Sequence, residues 1–290
     1  MTGPVVVGLD GSPASVTAAW WAAREAVDRR LPLLLLHSWT TQPLNLPVPQ
    51  EALSKQRYGG QVLQRMEAEL LHRYADLSLT TELVSEPAAK ALLDAGENAS
   101  LLVLGSRGHG SVASFLLGSI SLHVLGLAGC PIVTVRADDP AVEAGWGHRA
   151  AAERDEIVVG VQEPGPAADA LLEFAFSTAE LRGARVRVVQ ALPFASLMPH
   201  PQADRGDERD AHLLLTAALA PWQEKFPGVA VVVQAAMGSA AQLLLSACTH
   251  SMLIVVGRRR HPSQLTWKLG PVAHAALHHV PCPVAVVPHD

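Results

Sequence analysis

Glycine and serine residues that could hold a phosphate group are concentrated between residues 101 and 136. An apolar run ends at Gly105, a loop rich in glycine and serine follows, and Gly118 and Ser119 begin a second apolar segment. Backbone N–H groups approach an anion most closely where no Cβ intervenes, and the start of a helix adds the positive end of its dipole. The stretch is therefore predicted to form a strand, a phosphate-binding loop, a helix and a further strand.

The spacing of these glycines resembles the nucleotide signature of the universal stress protein family. That signature is glycine, two residues, glycine, nine residues, and then glycine followed by serine or threonine. Gly105, Gly108, Gly118 and Ser119 match every position of it. The chain contains no Gly-Lys-Ser or Gly-Lys-Thr, so the loop is not a P-loop of the Walker type. Ser119 and Ser121 can add hydroxyl donors, and Ser119 is also placed to cap the helix.

The resemblance implies which residues would contact an adenine nucleotide. Asp10 matches the family's acidic position after the first strand, where it would accept ribose hydroxyls. The main-chain groups of Ser38 would contact adenine, Leu104 would pack near the base, and Arg107 would lie within the phosphate loop. The whole expected set is Gly8, Leu9, Asp10, Ser38, Leu104, Gly105, Arg107, Gly108, Gly118, Ser119, Ile120 and Ser121. No residue is assigned a catalytic or a metal-binding role.

The elements that must position this set occur twice in the chain. Four landmarks recur 152 residues later: Gly8 as Gly160, Gly105 as Gly257, Gly118 as Gly270, and Cys130-Pro131 as Cys282-Pro283. This repeat predicts two duplicated domains, 1–137 and 155–290, joined by a linker at 138–154. In each copy apolar runs alternate with helical segments, which predicts an α/β fold with a parallel sheet covered on both faces. The resemblance implies two tandem doubly wound domains, each with five strands in the order 3-2-1-4-5.

The second copy departs from the nucleotide signature. Gln162 stands in place of Asp10, Arg260 in place of Gly108, and Pro271 in place of Ser119. A side chain restricts the loop backbone, and proline removes an N–H from the start of the helix. We therefore expect one competent nucleotide site per chain, in residues 1–136. The second domain would serve structure or another ligand, and its Arg258-Arg259-Arg260 run could still attract an anion.

Composition narrows the classes of partner and compartment. The net charge of −5 gives no reason to expect nucleic acid or an anionic membrane as a partner. Three cysteines without a regular framework favour a reducing cytoplasm, and the N-terminus lacks the features of a signal peptide. The apolar stretch 115–135 is interrupted by Gly118, His123 and Gly129, which argues against a membrane span.

Together with these observations, the resemblance predicts a cytoplasmic stress-response protein that binds ATP, with or without Mg²⁺. An unknown protein partner would recognise its first domain when nucleotide is bound. The resemblance also implies a homodimer. Two alternatives remain open: a nucleotide-independent interaction scaffold, and a slow ATPase. Any hydrolysis should be slow, because no general base or metal-holding carboxylate beyond Asp10 stands out. Residues 108–113 also fit a dinucleotide fingerprint, but that loop belongs after a domain's first strand and here precedes the last.

Overall fold

A computed structural model describes residues 2–40, 49–106, 118–137, 139, 154–192, 201–248, 251–260 and 269–290, with the side chains of 49–52 and 201–207 left out. The chain divides into two compact domains, Met1–Trp146 and Gly147–Asp290. The boundary between them falls within the stretch that the sequence predicts to be the linker. Each domain is described separately below.

The first domain alternates five strands with four helices in its described residues. The strands are β1 (Val5–Gly8), β2 (Leu33–Thr40), β3 (Leu79–Pro87), β4 (Leu101–Ser106) and β5 (Ile132–Arg136). The helices are α1 (Pro13–Arg29), α2 (Pro49–Arg73), α3 (Ala88–Gly96) and α4 (Ser119–Leu127). All neighbouring strands pair in parallel, and their order is β3-β2-β1-β4-β5, as predicted.

The second domain repeats this arrangement. Its strands are β6 (Glu156–Val161), β7 (Arg185–Leu192), β8 (Val231–Met237), β9 (Ser251–Arg259) and β10 (Val284–His289). Its helices are α5 (Pro166–Arg182), α6 (Pro201–Lys225), α7 (Ala240–Ala247) and α8 (Pro271–His279). The parallel order β8-β7-β6-β9-β10 is again 3-2-1-4-5.

Buried apolar strands explain why the sheets form in the middle of each domain. Val5, Val6 and Val7 are fully buried in β1, as are Ile157 and Val158 in β6. Strands covered by helices on both faces read as continuous apolar runs rich in valine, isoleucine and leucine, which is the pattern that the sequence shows. Among the helices of the described residues, none combines the length and apolar character that a membrane crossing requires.

Helix α1 begins where the first site residues must turn away from the sheet. Ser12 caps the helix, and its hydroxyl accepts a hydrogen bond from the Ser15 N–H at 3.3 Å. Pro13 occupies the first turn, where its missing N–H costs nothing. Arg30 caps the carboxyl end of the helix in a left-handed conformation with φ of 55°. At the other end, only residues 9–12 separate α1 from the carboxyl end of β1.

Two element boundaries differ from those that the sequence predicts. Because proline suits the first helical turn, the sequence predicts that Pro87 opens a helix reaching Ala99. In the structure Pro87 is the last residue of β3 and the cap of α3, which ends at Gly96. The irregular composition of residues 193–206 predicts a loop, but α6 already begins at Pro201.

The repeat offset is also less uniform than predicted. The α1 cap Ser12 corresponds to the α5 cap Gly165, and Arg30 corresponds to Gly183, both 153 residues later. Helices α2 and α6 return to an offset of 152. The second domain therefore has one extra residue before α5. Strand pairing then aligns Leu36 with Val189, because Gly8 pairs with Leu36 and Gly160 with Val189.

Candidate functional site

A cleft of about 610 Å³ opens at the carboxyl ends of β1 and β4 in the first domain. We call it the first cleft. This edge is where open parallel sheets bind ligands. The structure brings ten of the twelve predicted contacts together on its wall: Gly8, Leu9, Asp10, Ser38, Leu104, Gly105, Gly118, Ser119, Ile120 and Ser121. The other two, Arg107 and Gly108, lie outside the described residues.

Asp10 follows β1 and forms the turn that leads into α1. Its Oδ1 accepts a hydrogen bond from the Ser12 N–H at 2.9 Å, and its own N–H donates to the Ser15 hydroxyl at 3.3 Å. Desolvation raises the pKa of the carboxyl, but hydrogen bonds from Ser12 and Ser15 outweigh it and lower the pKa below its ordinary value. Asp10 is therefore ionised at neutral pH. A carboxylate has room for further donors beyond one backbone N–H, so ribose hydroxyls could still be accepted.

Packing in the structure explains why residue 105 is glycine, which the sequence did not reveal. A Cβ at this position would lie 2.5 Å from the Ala14 carbonyl carbon and 2.7 Å from the Ser15 nitrogen. Because these are backbone atoms of α1, the helix can approach β4 this closely only if residue 105 is glycine. Gly105 thus positions Asp10 and the start of α1 at the edge of the cleft.

At Gly118, no close contact with a described residue explains the glycine. A Cβ on Gly118 would meet no atom of the described chain within 4 Å. Its φ of −57° and ψ of 154° suit any residue. Neither the backbone conformation nor packing against described residues requires glycine here, yet the position lines the cleft.

The amino end of α4 supplies donors to the cleft. Gly118, and not Ser119 as predicted, is the cap, and it offers no side-chain cap hydrogen bond. The first helical hydrogen bond runs from the Leu122 N–H to the Gly118 carbonyl at 3.0 Å. The N–H groups of residues 119–121 precede it and are those that an α-helix leaves without an intrahelical acceptor. An anion in the cleft would meet these N–H groups together with the helix dipole.

Ser38 lies at the carboxyl end of β2, on the cleft wall. Its hydroxyl contacts the backbone carbonyls of Thr40 and Glu86, so the side chain is engaged with the chain itself. The contact of the Ser38 main chain with adenine, which the resemblance implies, stays a prediction.

Several wall residues were not predicted from the sequence. They come from the start of α1, from β2, from α3 and from the end of β5: Ser12, Pro13, Ala14, Ser15, Leu36, Ala88, Leu92 and Ala137. Tyr58 of α2 also reaches the edge of the site, where its hydroxyl donates to the Asp10 carbonyl at 3.4 Å. The Ser12-Pro13 cap was a usable signal for α1. Nothing local marked Ala88, Leu92 or Tyr58, because their positions depend on how helices pack across the sheet.

Charge on the first cleft is sparse. Among its described wall residues, Asp10 is the single charged side chain. A phosphate bound there would therefore rest on N–H groups of the described wall and on whatever residues 107–117 contribute. The described part of the chain holds no group of three or more His, Cys, Asp and Glu side chains suited to a metal ion.

The second domain has a cleft of about 690 Å³ in the corresponding place, which we call the second cleft. Gln162 stands on its wall where Asp10 stands on the first. Pro271 is the first residue of α8, so this helix start lacks one of the N–H donors that Ser119 provides in α4. The nucleotide-binding features are therefore reduced although the cleft itself is retained.

Comparisons with known proteins agree with this architecture. A model of the universal stress protein family matches residues 1–136 and 153–288. A universal stress protein of Mycobacterium tuberculosis is 30% identical over 292 residues, covering 97% of this chain and 96% of the relative. One from Mycolicibacterium smegmatis is 30% identical over 291 residues, covering 98% and 96%. The crystal structure of a universal stress protein from Archaeoglobus fulgidus has a similar fold, with a TM-score of 0.74, 18% identity, and coverage of 99% of this chain and 98% of that chain.

Proposed function

The chain belongs to the universal stress protein family, and from that premise we propose that its first cleft binds ATP. In this proposal the protein acts in the cytoplasm during a stress response. An unknown protein partner binds its first domain when that domain holds nucleotide. Adenine would lie against the main chain of Ser38 and against Leu104, and the ribose hydroxyls would be accepted by Asp10. The phosphates would lie at the start of α4 and at residues 105–108.

The observation that carries this proposal is the space that the described residues leave open beside Gly118. Glycine is disfavoured in a folded chain unless its backbone freedom or its lack of a side chain is needed. At Gly118 the φ angle is ordinary and a Cβ would meet no described atom within 4 Å. A ligand phosphate against the N–H groups of residues 119–121 supplies the missing reason, because a side chain at Gly118 would stand in its way.

A bound Mg²⁺ would be held mainly by phosphate oxygens and water. Mg²⁺ favours six oxygen ligands and commonly keeps several waters beside one or two carboxylates. Asp10 is the one carboxylate on the described wall, and it already accepts the Ser12 N–H. We therefore propose that ATP binds with or without Mg²⁺, and that hydrolysis is slow at most.

Valine substitutions at the two equivalent helix caps test this proposal with an internal control. Gly118→Val and Gly270→Val place the same side chain at the caps of α4 and α8, and a Cβ meets no described atom within 4 Å at either position. We expect Gly118→Val to weaken ATP binding at least a hundredfold in calorimetric titration and Gly270→Val to leave it unchanged. Both variants should keep the circular dichroism spectrum of the parent protein.

Three results would change the assignment. Unchanged ATP affinity in Gly118→Val would mean that the phosphates do not lie at α4. No binding to the parent protein would favour the nucleotide-independent scaffold. Turnover of many ATP molecules per minute would favour a dedicated ATPase. Sedimentation velocity with and without ATP would test the proposed homodimer in the same samples.

A further inference from the structure

The second cleft keeps the volume of the first but replaces its hydroxyl groups. Aligned through the shifted offset, α5 has Gly165 and Ala168 where α1 has Ser12 and Ser15. Ser38 becomes Ala191 on the wall, and at the start of α8 Ser119 becomes Pro271 and Ser121 becomes Ala273. The hydroxyl groups at these five positions are thus removed together.

What remains on the inner wall of the second cleft is apolar. Leu171 and Leu244 are 3% and 1% exposed, Val256 is 2% exposed, and all three line the cavity. Val161, Val189 and Ala240 extend the same surface. A cavity with such walls binds apolar groups, because removing apolar surface from water lowers the free energy.

One end of the second cleft carries two basic side chains, Arg259 and His289. Arg259 and His289 are partners in the parallel pairing of β9 with β10, so their side chains project from the same face of the sheet at adjacent positions. Both line the cavity, and Arg259 is exposed. The corresponding residue to His289 on the first wall is Ala137.

The His289 ring occupies a place that helix backbone fills in the first domain. A Cβ on Gly257 would lie 2.8 Å from His289 Nε2 and 3.3 Å from Leu171 Cδ2. At the equivalent Gly105, the nearest atoms are the backbone of Ala14 and Ser15. The imidazole therefore lies on the floor of the second cleft, between the apolar wall and Arg259.

Acidic groups nearby do not cancel this basic end. Asp290 also lines the cleft, but its carboxylate lies 4.0 Å from Arg260 Nη1, so that Arg260 offsets its charge. Glu163 belongs to the opposite wall, after β6, and is exposed to solvent. His289 Nδ1 lies 3.1 Å from the Asp290 backbone oxygen, so Arg259 and the other ring nitrogen of His289 are the basic groups offered to an anion at the end of β9 and β10.

From these observations we propose that the second cleft binds a small molecule with an apolar body and a single carboxylate. The body lies against Leu171, Leu244 and Val256, and the carboxylate pairs with Arg259 and His289. A guanidinium and an imidazole suit a carboxylate because each can donate charge-assisted hydrogen bonds to it. The site is separate from the proposed nucleotide site and does not depend on it.

Calorimetric titration of the intact protein with 4-phenylbutyrate tests the proposal. We expect one molecule bound per chain with a submillimolar dissociation constant. The neutral analogue 4-phenylbutan-1-ol should bind roughly tenfold more weakly, because it cannot make the charge-assisted contacts. Arg259→Gln should weaken phenylbutyrate by about the same factor, and since Arg259 is exposed, this substitution should leave the fold intact.

Tryptophan substitutions at equivalent positions locate the binding site. Ala240 and Ala88 are the first residues of α7 and α3, both half-buried, and each lines its own cleft. Ala240→Trp should abolish phenylbutyrate binding by filling the second cleft, and Ala88→Trp should leave it unchanged.

Four results would overturn the proposal. The first is an absence of phenylbutyrate binding at millimolar concentration. The second is binding that survives Ala240→Trp, and the third is an alcohol that binds as tightly as the acid. The fourth is two ATP molecules per chain in the parent protein and one in Ala240→Trp, which would make the second cleft a nucleotide site.

Discussion

Asp10 combines a local structural role with a place on the wall of the proposed nucleotide site. Its carboxylate accepts the Ser12 N–H and so fixes the turn between β1 and α1. Asp10 is therefore a turn residue. This role does not exclude ligand binding, because the same carboxylate borders the first cleft and is held ionised by its hydrogen bonds.

Asp10→Asn separates these two roles. The amide oxygen of asparagine can still accept the Ser12 N–H, so thermal stability should change little. The negative charge that strengthens hydrogen bonds from ribose hydroxyls is lost, and ATP affinity should fall by roughly tenfold or more. Calorimetric titration and a thermal melt on the same sample measure both effects. An unchanged affinity would place the ribose elsewhere.

The buried side chain of His37 makes the stability of the first domain depend on pH. It is buried at 5% exposure, and its ring meets that of Tyr58 edge to face at a centroid distance of 6.2 Å. Burial lowers the pKa of His37, and a backbone hydrogen bond with Leu9 and the charge of Asp10 oppose the shift only in part. As the pH falls through the ordinary histidine value of about 6.5, the unfolded chain takes up a proton before the folded one does. The contribution of His37 to the stability of the first domain is therefore largest above that pH and declines below it.

His37→Gln should reduce this loss. Strand pairing aligns His37 with Gln190, whose Nε2 donates to the Gln162 carbonyl at 3.0 Å, so the fold already accommodates glutamine at the equivalent position. Urea unfolding at pH 7.5 and pH 5.5 should show a smaller decrease in the variant than in the parent protein. Equal decreases would show that His37 is not protonated differently in the two states.

At the scale of elements, the close approach of α1 to β4 organises the first cleft. Gly105 permits that approach, and it brings the Ser12 cap and Asp10 beside the carboxyl ends of the strands. In the second domain the nearest atoms to Gly257 are side-chain atoms of His289 and Leu171. Glycines at matching sequence positions thus have different packing roles.

Alanine at these two positions should have unequal effects. Gly105→Ala forces backbone atoms of α1 apart and should lower the free energy of unfolding by about 1–3 kcal/mol, the usual range for overpacking. Gly257→Ala meets a histidine ring at the end of a side chain that can rotate, so its effect should be smaller. Differential scanning calorimetry of both variants compares them, and equal effects would contradict the backbone contact at Gly105.

The alternation of elements was predictable because buried parallel strands read as continuous apolar runs and glycine, proline and serine mark their ends. The family resemblance that the glycine signature carries implied twelve site residues, and the structure brings ten of them to one cleft. The cap at Gly118 in place of Ser119, and the extra residue before α5, were not predictable, since each depends on where a helix actually starts. Ala88, Leu92 and Tyr58 carried no signal, because their proximity to Asp10 arises only from packing.

At the scale of the whole molecule, duplication has left two clefts of similar volume and different chemistry. The first has hydroxyl groups and an open helix start, and the second has apolar walls with Arg259 and His289 at one end. A protein of this kind could respond to a nucleotide and to a second, unrelated ligand. The central claim is that only the first domain binds ATP.

The stoichiometry of bound ATP tests that claim most directly. Purified protein would be denatured and its released nucleotide quantified, and protein stripped of nucleotide would then be titrated with ATP and magnesium. We predict one ATP per chain. Two ATP molecules per chain would show that Gln162, Arg260 and Pro271 are compatible with binding, and none would contradict the assignment of the first cleft.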